Sequence, residues 1–178
     1  MGKRLIWISN RINMTYEKVV KKAESVLKRF GVTKVPVPIE DIVEALGIRL
    51  GYAPSSKYSG ILIRKADKGI LLGVNTLESS ERIRFTIAHE LGHYFLDDKK
   101  VSVDFRVTDY DFNDKPQIEK FADVFAANIL MPEKIVRKDF GKISKGKVFL
   151  EDDLIGMASK YRVSKGAMRV RLEVLNLI

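Results

Sequence analysis

Phe85 to Leu96 reads FTIAHELGHYFL and holds both histidines of the chain, His89 and His93, four positions apart, with Glu90 directly after the first. On an α-helix, residues four apart lie on one face, one turn from each other. Two imidazoles so placed can hold one metal ion between them. Glu90 points roughly a quarter-turn away, near enough to reach a water beside that ion. This is the H-E-x-x-H arrangement of zinc hydrolases, in which histidine nitrogens bind Zn²⁺ and the glutamate is the general base. The only clearly polar side chains of the stretch are Thr86, His89, Glu90 and His93, with the Tyr94 hydroxyl beside them. A helix apolar nearly all round is expected to be buried. Buried imidazoles and a buried carboxylate are costly unless they find partners, and a metal ion supplies one. A core helix with two hydrogen-bonded histidines is the alternative.

The chain has 178 residues, 46% hydrophobic and 31% charged, which fits one soluble globular domain with at most a small appendage. It contains no cysteine, so any metal is held by nitrogen and oxygen. The apolar run Leu5-Ile6-Trp7-Ile8 is too short for a signal peptide, and no stretch is long enough for a membrane span. A cytoplasmic location is the expectation. The net charge of +9 is uneven: residues 1–38 carry nine basic and two acidic side chains, and residues 133–178 carry eleven and six. Basic ends of this kind suit nucleic acid or an acidic partner, although a solvated helical face is the plainer reading. Between them, residues 97–123 are acidic.

Tyr16, Val19, Val20, Ala23, Val26, Leu27 and Phe30 fall at helical spacing, with Thr15 able to cap the start and Gly31 the end. Pro38 suits the first turn of a short helix through Leu46, closed by Gly47. Ile48–Tyr52, Ile61–Arg64 and Ile70–Val74 read as three strands, the last two joined through Ala66-Asp67-Lys68-Gly69 as a hairpin. Ser79 or Ser80 caps the histidine helix. Gly92 within it costs about 1 kcal/mol relative to alanine, for which close approach of a neighbouring backbone is a reason. Residues 97–115, rich in Asp and Asn, read as a long loop.

The next helix runs from about Pro116 to Met131, with a broad apolar face of Ile118, Phe121, Ala122, Phe125, Ala126, Ile129 and Leu130. Glu119 and Asp123 lie on its flank, where both are partly buried and need a cationic partner. Glu119 is the candidate third metal ligand. Asp123, one turn further, is placed to accept the second N–H of a metal-bound histidine; an ordinary salt bridge is the alternative for each. Residues 133–150 read as a connector. Asp152–Tyr161, capped by Asp152 or Asp153, and Ser164–Leu175, capped by Ser164, form two helices across a tight Arg162-Val163 turn. The outline is helix-turn-helix-like, with Lys165, Arg169 and Arg171 on the second helix.

The order Gly47-Ile-x-Leu, a strand pair, Arg84-FTIAHELGHYFL and Glu119-KFADVFAANILMP resembles the ImmA/IrrE family of bacterial and phage metallopeptidases. The closing Val163-Ser164, Ala167-Met168 and Arg171-Leu172 are similar to a helical tail many members carry, so the resemblance covers about residues 15–175. One departure is Asp97, where many members have histidine. The resemblance implies an α+β, zincin-like fold: a small antiparallel or mixed three-stranded sheet packed on helices, with a C-terminal helical tail. On that reading residues 1–140 form the metallopeptidase domain and 141–178 a helical extension. The implied zinc ligands are His89, His93 and Glu119, with Glu90 catalytic, in agreement with the reading of the residues themselves. The implied biology is cleavage of a DNA-binding helix-turn-helix repressor in a mobile-element, phage or stress-response switch.

The sequence therefore predicts a zinc endopeptidase, with three protein ligands and a fourth position left open as in catalytic sites. A carbonyl-polarising donor is sought among Tyr58, Tyr110 and Tyr161, and the Ile70–Val74 strand is a candidate edge for strand addition by a peptide. The rivals are a DNA-binding regulator with a non-catalytic metal site, and a module that captures a repressor without cutting it.

Overall fold

The computed structural model describes residues 14–65, 69–97, the backbone of 102–107, and 115–178. The chain is α+β, with seven helices and a mixed sheet among the described residues. Helix α1 (Tyr16–Arg29) starts where Thr15 accepts the Lys18 N–H, and it buries the face predicted from its spacing, Val19, Ala23, Val26 and Leu27. Helix α2 (Ile39–Ala45) follows Pro38 and ends before Gly47, whose φ of +74° needs a residue without Cβ. Strands β1 (Arg49–Ala53), β2 (Tyr58–Lys65) and β3 (Gly69–Asn75) fall on the three expected strands.

Two parts of the sheet differ from the sequence reading. The stretch read as a long loop contains a fourth strand, β4 (Ser102–Val107), which pairs antiparallel with β2. The strand order is β1-β3-β2-β4, with β1 and β3 parallel. Ile70–Val74 is thus an interior strand with both edges hydrogen-bonded, and it cannot take up a peptide by strand addition; among the described residues the edges belong to β1 and β4.

Helix α3 (Ser80–Leu96) carries both histidines and lies between the sheet and helix α4 (Gln117–Leu130), with α1 against the far side of α4. As its composition demanded, α3 is buried nearly all round, from Arg84 and Thr86 through Leu91 to His93. Ile87, Ala88 and Leu91 share a core with Leu62, Leu72 and Val74 of the sheet and with Phe125, Ala126 and Ile129 of α4. Gly92 marks the closest approach. A Cβ there would stand 3.0 Å from Ala122 Cα and 3.2 Å from its carbonyl oxygen, backbone that cannot rotate away. Gly92→Ala should therefore destabilise the protein by about 1–2 kcal/mol, the overpacking cost exceeding the helix-propensity gain of about 1 kcal/mol. Urea unfolding checks the sign: a stabilised variant would mean the two helices do not meet at this point.

Residues 133–150, read as a connector, hold helix α5 (Glu133–Ile143). Helices α6 (Glu151–Tyr161) and α7 (Lys165–Val174) follow, joined through Arg162 in the left-handed region at φ 52°. Ser164 caps α7 as expected. Leu150, not Asp152 or Asp153, is the N-cap of α6, and Asp153 reaches back from inside the helix to accept the Leu150 N–H. Leu154, Met157, Tyr161, Met168 and Leu172 belong to the same hydrophobic cluster as α3 and α4. Arg171 is buried, its guanidinium donating to the Met131 carbonyl and Asn128 Oδ1, and Lys165 and Arg169 both pair with Glu151. The cations of the helix-turn-helix-like outline are therefore engaged within the chain. Among the described residues no helix is long and apolar enough to cross a membrane.

Candidate metal centre

The site is assembled by three local decisions of the sequence. Ser79 accepts the Arg82 N–H and starts α3 in the register that puts His89 and His93 on one face. Pro116 precedes α4, so Glu119 stands in its first turn. Gly92 then lets α4 lie close enough on α3 for that first turn to reach the histidines.

The result is a convergence of three side chains. Glu119 Oε2 lies 3.1 Å from His89 Nε2, and Glu119 Oε1 lies 3.0 Å from His93 Nε2. The two Nε2 atoms are 3.1 Å apart. His89 and His93 are buried, and Glu119 retains 17% exposure at the mouth of the cluster. These are the groups able to hold a metal ion among the described residues. The spacing suits one: two ligands about 2.0–2.1 Å from a shared ion in tetrahedral arrangement stand about 3.3 Å apart. The donor set, two neutral imidazoles and a carboxylate, also suits zinc, although such nitrogen and oxygen sites take other divalent ions as well.

The alternative for Asp123, a plain salt bridge, is only half of what it does. Its Oδ1 lies 2.8 Å from His89 Nδ1, and its Oδ2 is taken by the Lys115 ammonium. An ionised carboxylate only accepts, so Nδ1 carries a hydrogen, and Nε2 is the His89 nitrogen turned toward the cluster, the one that would present a lone pair to a metal ion. Burial alone would push the Asp123 carboxyl up, but His89 and Lys115 outweigh it and hold the group below its ordinary range. Burial likewise opposes ionisation of Glu119, and the hydrogen bonds and charge of His89 and His93 hold its carboxyl far below the usual carboxylate range.

The family model of the IrrE N-terminal-like domain, peptidase M78, matches residues 43–173, well over half of the chain. The chain belongs to the peptidase M78 family. This is the family to which the sequence pointed, and it is one of metallopeptidases. No curated protein matches the chain. The matched region of this M78 member runs from α2 to α7 and so includes every residue of the cluster.

Glu90 is buried on α3 between the two histidine turns, with its carboxylate against the backbone of β2 at Gly60. Of the tyrosines considered as carbonyl-polarising donors, Tyr161 is fully buried and donates to Asp139 Oδ2, which removes it from the centre. Tyr58 opens β2 and is partly exposed, and Tyr110 lies outside the described residues. Sequence reading missed Arg64, a buried guanidinium that donates to the His93 carbonyl at 2.6 Å and so braces the last turns of α3. It also missed Lys115, although the need of Asp123 for a cation was legible.

Proposed function

We propose that this M78 protein is a zinc-dependent endopeptidase whose substrate is a helix-turn-helix transcriptional repressor. The observation that carries the peptidase reading is the meeting of His89, His93 and Glu119 from two helices, with Glu90 on the same helix as the histidines. His89 and His93 would supply nitrogens and Glu119 an oxygen to a bound ion. A zinc ion bound there supplies Lewis acidity toward the scissile carbonyl and lowers the pKa of an adjacent water. Glu90 takes the proton of the attacking water and returns it to the departing amine. Asp123 keeps His89 in the tautomer that presents Nε2, and Lys115 keeps Asp123 ionised.

The repressor reading rests on the family resemblance. An apolar groove of about 610 Å³ between α3, α4 and α7, lined by Phe85, Val124, Met131 and Val170 and bordered by Asp123, is suited to an apolar segment of a protein. The DNA-binding alternative drew on Lys165, Arg169 and Arg171, and their engagement with Glu151, Asn128 and Met131 weighs against it. Incubating zinc-loaded protein with the product of the neighbouring gene as first candidate substrate, and analysing the mixture by mass spectrometry, is expected to show two fragments whose formation a chelator prevents. An intact repressor bound to the protein would favour capture without cleavage.

A further inference from the structure

The glycines of this chain are not all needed for the same reason. Gly31, Gly47, Gly69 and Gly146 have positive φ and answer a backbone demand. Gly60 does not: its φ lies outside the left-handed region, so an L-residue could adopt its backbone without strain. What excludes a side chain there is space. A Cβ at Gly60 would collide with the Thr86 methyl and would stand 2.9 Å from Glu90 Oε1 and 3.3 Å from Glu90 Cγ. Gly60 also sits where the β2–β4 register shifts between Tyr58 and Gly60, and such irregularities re-aim a strand locally. Strand β2 is thus brought, with no side chain in between, directly onto the carboxylate of the proposed base.

We propose that Gly60 is a positioning residue for Glu90: the bare backbone of β2 is the surface against which the carboxylate is seated, and it sets how far Oε1 stands from the metal cluster. Any side chain at position 60 pushes Glu90 along α3 or off its rotamer, leaving His89, His93 and Glu119 where they are. The inference rests on Glu90 being the base, and its consequence is specific. Bulk at position 60 damages proton transfer while sparing metal binding. Damage to the fold as a whole would lower both together.

Gly60→Ala alone also strikes Thr86, so the test is made in a Thr86→Ser background, where the obstructing methyl is gone and the hydroxyl remains. In that background Gly60→Ala is expected to lower the melting temperature by about 3–10 °C, the range for overpacking by one methyl in a chain of this size. Adding Glu90→Ala is expected to return most of that loss, because the atoms in conflict have been removed. The G60A/T86S variant should bind zinc, measured against a chromogenic chelator, within a few-fold of wild type. It should cut the repressor with kcat lowered about ten- to a hundred-fold at nearly unchanged KM. The same melting-temperature loss with and without Glu90 overturns the inference, and so does zinc affinity falling in step with kcat. Glu90→Gln is assayed beside these variants: normal cleavage by E90Q removes the base assignment itself, a failure separate from loss of the Gly60–Glu90 coupling.

Discussion

Glu90→Gln is expected to bind zinc within a few-fold of wild type and to cut its substrate about 10²–10⁴-fold more slowly, the range typical of a lost general base. The substitution keeps the shape of a side chain that is buried against Gly60 on one of the tightest-packed helices of the protein, so the fold and the ligand geometry should survive. What it removes is the capacity to take a proton from water. Glutamine cannot accept one at neutral pH, and both histidines face Glu119 and cannot stand in for it. Two measurements on one preparation separate the cases: zinc by chelator competition and cleavage by fragment yield over time. Cleavage at the wild-type rate with zinc bound would transfer the base role to another group.

Glu119→Ala should have a larger effect still, on binding itself. The Glu119 carboxylate touches both imidazoles, and without it two nitrogens remain, too few to hold zinc tightly. Substitutions of outer partners such as Asp123 cost about 10–100-fold in metal affinity, so loss of an inner ligand should cost more than about 100-fold. Thermal unfolding reads this without any substrate. For wild type, free zinc at a hundredfold excess over Kd should stabilise by about 2.7 kcal/mol and raise the melting temperature by about 5–10 °C. The E119A variant should show almost no zinc-dependent rise at the same concentration, and Asp123→Asn an intermediate one. An E119A protein stabilised as strongly as wild type would place the metal elsewhere.

These effects follow from features that differ in how visibly the sequence carries them. The burial of α3 was legible because almost every side chain from Phe85 to Leu96 is apolar, whatever the helix packs against. Glu119 and Asp123 were legible as flank positions of an amphipathic helix, and the side of α4 on which they lie follows from helical periodicity alone. Strand β4 was hidden by its setting: SVDFRV alternates, but it lies in an acidic, Asn-containing stretch that reads as loop. Helix α5 was masked in the same way by its lysines and Gly141, although Ile135, Val136 and Phe140 recur at helical spacing. The order of the strands, with β3 inside and β1 at the edge, depends on which strands the β2–β3 pair meets after folding, and no local pattern encodes it. Gly60 against Glu90 and Arg64 against the His93 carbonyl are juxtapositions of this second kind. Each residue is ordinary in its own neighbourhood and acquires its role only when α3 is laid between the sheet and α4.

The proposed peptidase depends on one divalent ion shared by α3 and α4. Anomalous diffraction from zinc-soaked crystals, recorded on both sides of the zinc absorption edge, tests it directly. The expected result is a single strong peak among His89 Nε2, His93 Nε2 and the Glu119 carboxylate, absent from crystals of the E119A variant. A peak bound elsewhere, or a density map in which Glu119 turns away from both imidazoles while zinc is present, would contradict it.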